Sequence, residues 1–387
     1  MRFNIKSTIL PINKIKYPVS IPSITALEKK FVNEAINSGW VSSLGPFINK
    51  FEDKFSKYIG CEYSLCTSSG TTALHLALAS LGIKEGDEVI IPNLTFVATS
   101  NAVSYTGAKP IIIDVERDTG CLDINLLKES ITKYTKAIIP VHLYGNPAKI
   151  NEICEIAKNN DIKVVEDVSE ALGAKYGEKT LGSIGDIGCF SLYGNKIITS
   201  GEGGVLTTNN KNIYEKAKYL RDHAMSKEKR YWHTEIGYNY RMTNLQAALA
   251  YAQLTRVDEI LEKRWDIYLR YESNLQDSRF FDFYKINKDS KSNGVNWLTS
   301  IIFKEEFLLY KEEVIEKLKQ KGIDSRSFFY PMSKLPIHES YNKQNFKISE
   351  YLSKAGLSLP TYDDLSTKDI DIICSEIKGV FSGIFNS

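Results

Sequence analysis

Net charge is nearly absent from this chain of 387 residues, in which 49 Lys and Arg stand against 47 Asp and Glu, leaving +2. No basic field is present to draw in nucleic acid or an anionic membrane. The 22 tyrosines and 17 phenylalanines are scattered and build no basic–aromatic stripe. Cysteine is scarce at six, with no C-x-x-C pair and no zinc-ligand spacing to a histidine. Reduced thiols and no metal site are therefore expected. Apolar runs of membrane-spanning length are missing, and the basic N-terminal MRFNIKSTILPINK carries no cleavage-site pattern. A reducing, cytoplasmic setting is expected, with residues 1–20 as an N-terminal arm. No internal repeat or low-complexity tract appears. What remains is ordinary globular composition, 43% hydrophobic and 25% charged, in a chain long enough for one large and one smaller domain.

Two amphipathic helical patterns open the chain, SITALEKKFVNEAINS and INKFEDKFSKYIG, the second stopping at Gly60. Short apolar runs follow, EYSLCTSS, EVIIPNL, IIIDV, KAIIPVHLYGN and KVVEDV, alternating with helical stretches such as INEICEIAKNN. That alternation predicts a mostly parallel, doubly wound α/β sheet in a large domain over residues 21–250. The pattern from Asn244 to Leu275 reads as one long helix serving as a spacer. Beyond it strands and helices recur (VNWLTSIIF, YKEEVIEKLKQKGI, DIDIICSEIKGVF), predicting a smaller C-terminal α/β domain over residues 251–387.

The chemistry concentrates between Val164 and Gly204. VVED ends a buried-strand pattern on two carboxylates, at the carboxyl end where α/β sheets place their sites. Alternation along the strand sends Glu166 to one face and Asp167 to the other. Further on, CFSLYGNK closes on Lys196, just ahead of a loop with Gly201, Gly203 and Gly204. An acidic strand end and an isolated lysine flanked by glycines meet the needs of pyridoxal phosphate. Lys196 would form its Schiff base and Asp167 would keep its ring nitrogen protonated. Standing alone, Asp167 reads as a helix cap and Lys196 as one solvated lysine among many; their shared frame favours the functional reading. Ser69, Gly70 and Thr71 open a helix directly after a strand. In isolation that is a plain serine–threonine cap, but beside the Asp167–Lys196 frame it is a phosphate cup. Ser191 is placed to donate to the same phosphate. Phe96 either stacks on the cofactor or belongs to the core. His75 reads as structural, and His233 is not favoured as a base.

In order along the chain, WVSSLGPFINKFE, TSSGTTALHLAL, GDEVIIPNLTFVATSNAV, VHLYGN, VVEDVSEALGA, GDIGCFSLYGNKIITSGEGG and GYNYRMTNLQAA resemble the pyridoxal-phosphate-dependent sugar aminotransferases of the DegT/StrS type. The resemblance implies the aspartate-aminotransferase-like type I fold and carries Lys196, Asp167, Gly70, Thr71, Ser191 and Phe96 onto the family's cofactor pocket. It places Glu170 near the cofactor's phenolic oxygen and Asn239 on the phosphate of a partner subunit's cofactor, implying a homodimer with shared active sites. A sister branch bears histidine at the lysine position and dehydrates sugars, so Lys196 implies transamination, with L-glutamate as donor. The strings VHLYG, GNKIITSGEGG and YNYRMTN are closest to a branch that aminates C4 of GDP-4-keto-6-deoxymannose. That branch usually carries histidine where Ser333 stands, and W-M-Y where this chain has Trp297-Leu298-Thr299. The acceptor expected is therefore a phosphorylated keto sugar, with a small ketone such as dihydroxyacetone phosphate as the alternative, in surface polysaccharide synthesis. Ser42, His142, Arg241 and Arg326 stand as candidate substrate contacts. The rivals are a pyridoxal-phosphate-dependent decarboxylase or lyase and a non-catalytic regulator, the latter lacking any DNA-binding element in this sequence.

Overall fold

The computed structural model describes residues 15–341 and 345–385. Of the arm expected over 1–20, residues 1–14 lie outside them. The remainder is tied down: Tyr17 is buried, its N–H donates to the Gly322 carbonyl, and its own carbonyl accepts from the Asp324 N–H.

Seven strands form the central sheet in the spatial order Tyr63–Thr67, Gly204–Thr208, Ile187–Ser191, Lys163–Asp167, Thr135–Ile138, Glu88–Pro92, Lys109–Ile113. Six run parallel and Gly204–Thr208 is opposed to both its neighbours. The isoleucine and valine runs that make these strands are buried on both faces, as parallel sheets covered by crossover helices require. The carboxyl ends of Lys163–Asp167 and Ile187–Ser191 therefore open at the same edge as the amino end of the helix Gly70–Ser80. That edge carries the site.

The helix Pro46–Ile59 stops at Gly60, which takes the left-handed conformation at φ 79° and returns its N–H to the Ser56 carbonyl. The long helical pattern from Asn244 is in fact two helices, Asn244–Thr255 and Val257–Leu275, broken at Arg256. Polar demand explains the break. The Arg256 guanidinium turns inward to Glu28, at 3.1 Å, and donates to Ser23, while Gln253 donates to Glu28 from the preceding turn. The first helix packs on Ala26–Asn37 and Pro46–Ile59; the second packs on the C-terminal helix Thr367–Phe385.

Beyond the break, a four-stranded antiparallel sheet runs Phe281–Phe283, Ser300–Phe303, Gly356–Ser358, Arg326–Ser327. Its edge strand carries Arg326 toward the carboxyl edge of the large sheet. Among the described residues no helix is long and apolar enough to cross a membrane.

Candidate active site

Asp167 ends its strand 4% exposed, in the wall of a cavity of about 560 Å³. The Ser169 N–H donates to Oδ1 at 3.1 Å and the Thr99 hydroxyl to Oδ2 at 3.0 Å, which fixes the carboxylate's orientation. Glu166 faces the other way, as strand alternation requires. It is fully buried, and burial alone would raise its pKa. The His142 ring and the N–H groups of Gly182 and Gly185 outweigh that and hold it below the ordinary value.

His142 requires a correction. Its ring is wholly buried, with Nε2 3.2 Å from Glu166 and Nδ1 accepting from the Ala148 N–H at 3.0 Å. Because a backbone N–H can only donate, Nδ1 is the acceptor and Nε2 carries the proton given to Glu166. No part of the ring lines the cavity, so the expected substrate contact is instead a brace behind the strand.

Lys196 does reach the cavity. Its Nζ lies 3.7 Å from Glu170 Oε1 and 4.1 Å from the centroid of the Trp297 ring. Burial pushes its pKa below 10.5, against the pull of Glu170 and Asp167. Burial likewise pushes Glu170 up to about 7, against Lys196 and the Tyr144 N–H, which donates to Oε2 at 2.9 Å. That N–H is aimed by an unusual bend, with Tyr144 at φ 49° and Gly145 at φ 90°. A side chain at residue 145 would run into the Val295 carbonyl oxygen, so only glycine fits.

Across the cavity, Ser69 caps the helix Gly70–Ser80. Its Oγ accepts from the Thr72 N–H, and the first amides of Gly70 and Thr71 stand at the helix start, where intrahelical partners are lacking. A methyl on Gly70 would stand 2.8 Å from Ser191 Cβ, so the bare glycine keeps open a cradle floored by Ser191. Phe96 sits at the rim, 54% exposed, its ring 5.7 Å from Phe329. Arg326 also lines the cavity, close enough for its charge to act on Lys196.

One chain thus brings together Ser69, Gly70, Thr71, Phe96, Asp167, Glu170, Ser191, Lys196 and Arg326. It does not bring Ser42, Asn239 or Arg241 to this cavity. Ser42 is exposed and its carbonyl accepts from the Asn244 N–H; Asn239 is exposed on the segment paired to Asp222; Arg241 is bonded to Asp222 at 2.7 Å. Three contributors escaped the sequence reading, namely Thr99, Tyr144 and Trp297. Thr99 stands in the first turn of the helix Ala98–Tyr105, just beyond the loop after Glu88–Pro92 that carries Phe96. Trp297 heads the Trp297-Leu298-Thr299 string set against the branch's W-M-Y, but no spacing in the sequence ties it to Lys196. Among the described residues no cluster of His, Cys, Asp and Glu is arranged to hold a metal.

The comparisons with known proteins agree with this geometry. A family model described as the DegT/DnrJ/EryC1/StrS aminotransferase family matches residues 22–378. The chain is 41% identical to GDP-perosamine synthase of Escherichia coli O157:H7, covering 95% of this chain and 100% of that one. It is also 41% identical to GDP-perosamine synthase of Caulobacter vibrioides, over 94% of this chain and 97% of the relative. A candidate sugar aminotransferase of Streptococcus pneumoniae, solved in its pyridoxal phosphate form, superimposes with a TM-score of 0.90 at 28% identity, covering 95% of this chain and 99% of that one.

Proposed function

The chain belongs to the DegT/DnrJ/EryC1/StrS aminotransferase family, pyridoxal-phosphate-dependent enzymes of the type I α/β fold, and from that premise we propose that it carries the amino group of L-glutamate to the keto carbon of a nucleotide-linked 4-keto-6-deoxy sugar, as a GDP-perosamine synthase would. The amination rests above all on one observation, a lysine amine pushed toward neutrality 3.7 Å from a carboxyl titrating near 7. The choice of acceptor rests on likeness to the GDP-perosamine synthases along nearly the whole chain. Those relatives lend no support to a small phosphorylated ketone as acceptor.

The residues fit the cofactor. Gly70 leaves the space a phosphate needs, Ser69, Thr71 and Ser191 supply donors around it, and Asp167 and Lys196 stand where a ring nitrogen and an aldehyde would be held. When bound, pyridoxal phosphate supplies an electron sink for the carbanion left once the substrate amine loses its α-proton. The protein's part is to place and move protons. Asp167, held by Ser169 and Thr99, would keep the ring nitrogen charged. Lys196 Nζ takes a proton from the substrate carbon and returns it, its burial favouring the neutral base. Glu170, with a pKa near 7, holds or releases a proton beside Nζ as the lysine changes charge. Arg326 offers a guanidinium for an acidic group of donor or acceptor.

The exposed apolar side chains of Trp40, Leu44 and Ile236 lie on the segments that carry Ser42, Asn239 and Arg241. They support a homodimer in which those three residues complete the partner's cavity. Synthesis of a surface polysaccharide is the setting such an amino sugar serves.

The test uses enzyme converted to its amino form by glutamate and freed of 2-oxoglutarate. Addition of GDP-4-keto-6-deoxymannose at low concentration restores the cofactor's visible absorbance. Failure with this sugar and with other nucleotide-linked 4-keto sugars refutes the acceptor class.

A further inference from the structure

Trp297 reaches the site from far along the chain and is clamped there on several sides. Its side chain is 2% exposed. The indole N–H donates to the Asn195 carbonyl at 2.8 Å, one residue before Lys196. The Trp297 carbonyl accepts from Arg264 at 2.8 Å, and Arg264 is itself buried against Asp363 at 3.3 Å. Tyr144 stacks on the ring with centroids 5.5 Å apart.

Against this fixed ring lies Lys196 Nζ, 4.1 Å from its centroid. The charged and titratable groups that bear on that nitrogen are Glu170 at 3.7 Å, longer than a hydrogen bond, and at greater range Asp167 and Arg326. An ammonium over an indole face is attracted by the ring's quadrupole, more strongly than over phenylalanine. We propose that the Trp297 ring is the seat that receives the Lys196 amine whenever that amine is not bonded to the cofactor. By favouring the charged form, the ring sets the pH at which the lysine becomes a nucleophile. This inference rests on Lys196 being the residue that carries the cofactor.

The experiment strips the full-length protein of cofactor, adds pyridoxal phosphate back, and follows the rate of imine absorbance across pH 6 to 10. The rate rises as the lysine loses its proton, and the midpoint of the rise reports Lys196. Removing the aromatic face in Trp297→Met lowers the midpoint by about 0.5–1.5 pH units. Trp297→Phe, which keeps a weaker face but loses the bond to Asn195, lowers it by less. An unshifted midpoint in Trp297→Met overturns the proposal, and so do equal shifts in the two variants, which would trace the effect to the Asn195 hydrogen bond. Should the methionine variant not fold, an unshifted phenylalanine variant overturns it as well. Lys196→Ala separates the two readings, since undiminished imine formation there refutes the assignment of the lysine itself.

Discussion

Glu170→Gln isolates the titration of a single buried carboxyl. Glutamine keeps an oxygen for the Tyr144 N–H and nearly the same volume, but it cannot ionise. In the wild-type chain burial raises the pKa from 4.5 to about 7. Between those values the native protein keeps a proton that the unfolded chain has released, so stability declines as pH rises through the window and levels off above it. At 1.36 kcal/mol per pH unit the decline totals about 3 kcal/mol. With unfolding entropy of about 2.1 cal/mol/K per residue, that corresponds to a fall of about 4 °C in melting temperature. The variant lacks this term. Lys196 contributes with the opposite sign at higher pH, because its lowered pKa leaves the unfolded chain holding more protons; loss of the Glu170 charge lowers that pKa further in the variant, which widens the difference in the same sense. The assay is thermal unfolding of cofactor-stripped protein from pH 4.5 to 8, read as the difference between wild type and Glu170→Gln. Wild type loses ground steadily up to pH 7. A difference that stays flat across the range refutes the raised pKa, and with it the role of Glu170 as a proton store beside Lys196.

Asp167→Asn removes the charge meant for the ring nitrogen while nearly preserving shape; turnover falls roughly a thousandfold, about 4 kcal/mol of barrier, and a loss below tenfold in a steady-state assay rejects the role. His142→Ala leaves Glu166 and the Ala148 N–H short of a partner in a buried place, which costs about 2–4 kcal/mol of stability by chemical denaturation. The KM for the acceptor stays unchanged in that variant, and a tenfold rise in KM at unaltered stability restores His142 as a substrate contact.

Local spacing made much of the site legible. Asp167 and Glu166 differ by one residue on a strand, so alternation alone sends one to the cavity and the other to the brace. Ser69, Gly70 and Thr71 follow a strand and start a helix, which is a matter of a few neighbouring residues. His142 misled because it sits in the polar, glycine-bearing VHLYGN turn, where a histidine reads as a candidate contact. Only the depth of Glu166, set by tertiary packing, shows what its ring is bonded to. The break at Arg256 was hidden for a related reason. Its helix pattern continues without interruption on both sides, and the demand for a turn comes from Glu28 and Ser23, more than two hundred residues earlier. Tyr144 and Trp297 meet Glu170 and Lys196 through packing alone, which no periodicity encodes.

The position of Ser333 bears on the acceptor. Serine stands where the branch acting on GDP-4-keto-6-deoxymannose usually carries histidine, and such a change in a substrate pocket would count against a nucleotide sugar. Here Ser333 is 1% exposed and does not line the cavity. Its N–H donates to Asn93 Oδ1 at 2.8 Å, and Asn93 in turn donates to Ser349 at 2.7 Å and accepts at its carbonyl from the Met332 N–H. Asn93 directly follows a strand of the large sheet, whereas Ser333 and Ser349 belong to the C-terminal part. Residue 333 therefore helps join the two parts, and in this chain the joint is made by its backbone, the hydroxyl having no hydrogen-bond partner. A contact made by the backbone tolerates a change of side chain, so the departure at Ser333 leaves the nucleotide-sugar reading intact. Arg326, Phe329 and Phe96, by contrast, do line the cavity.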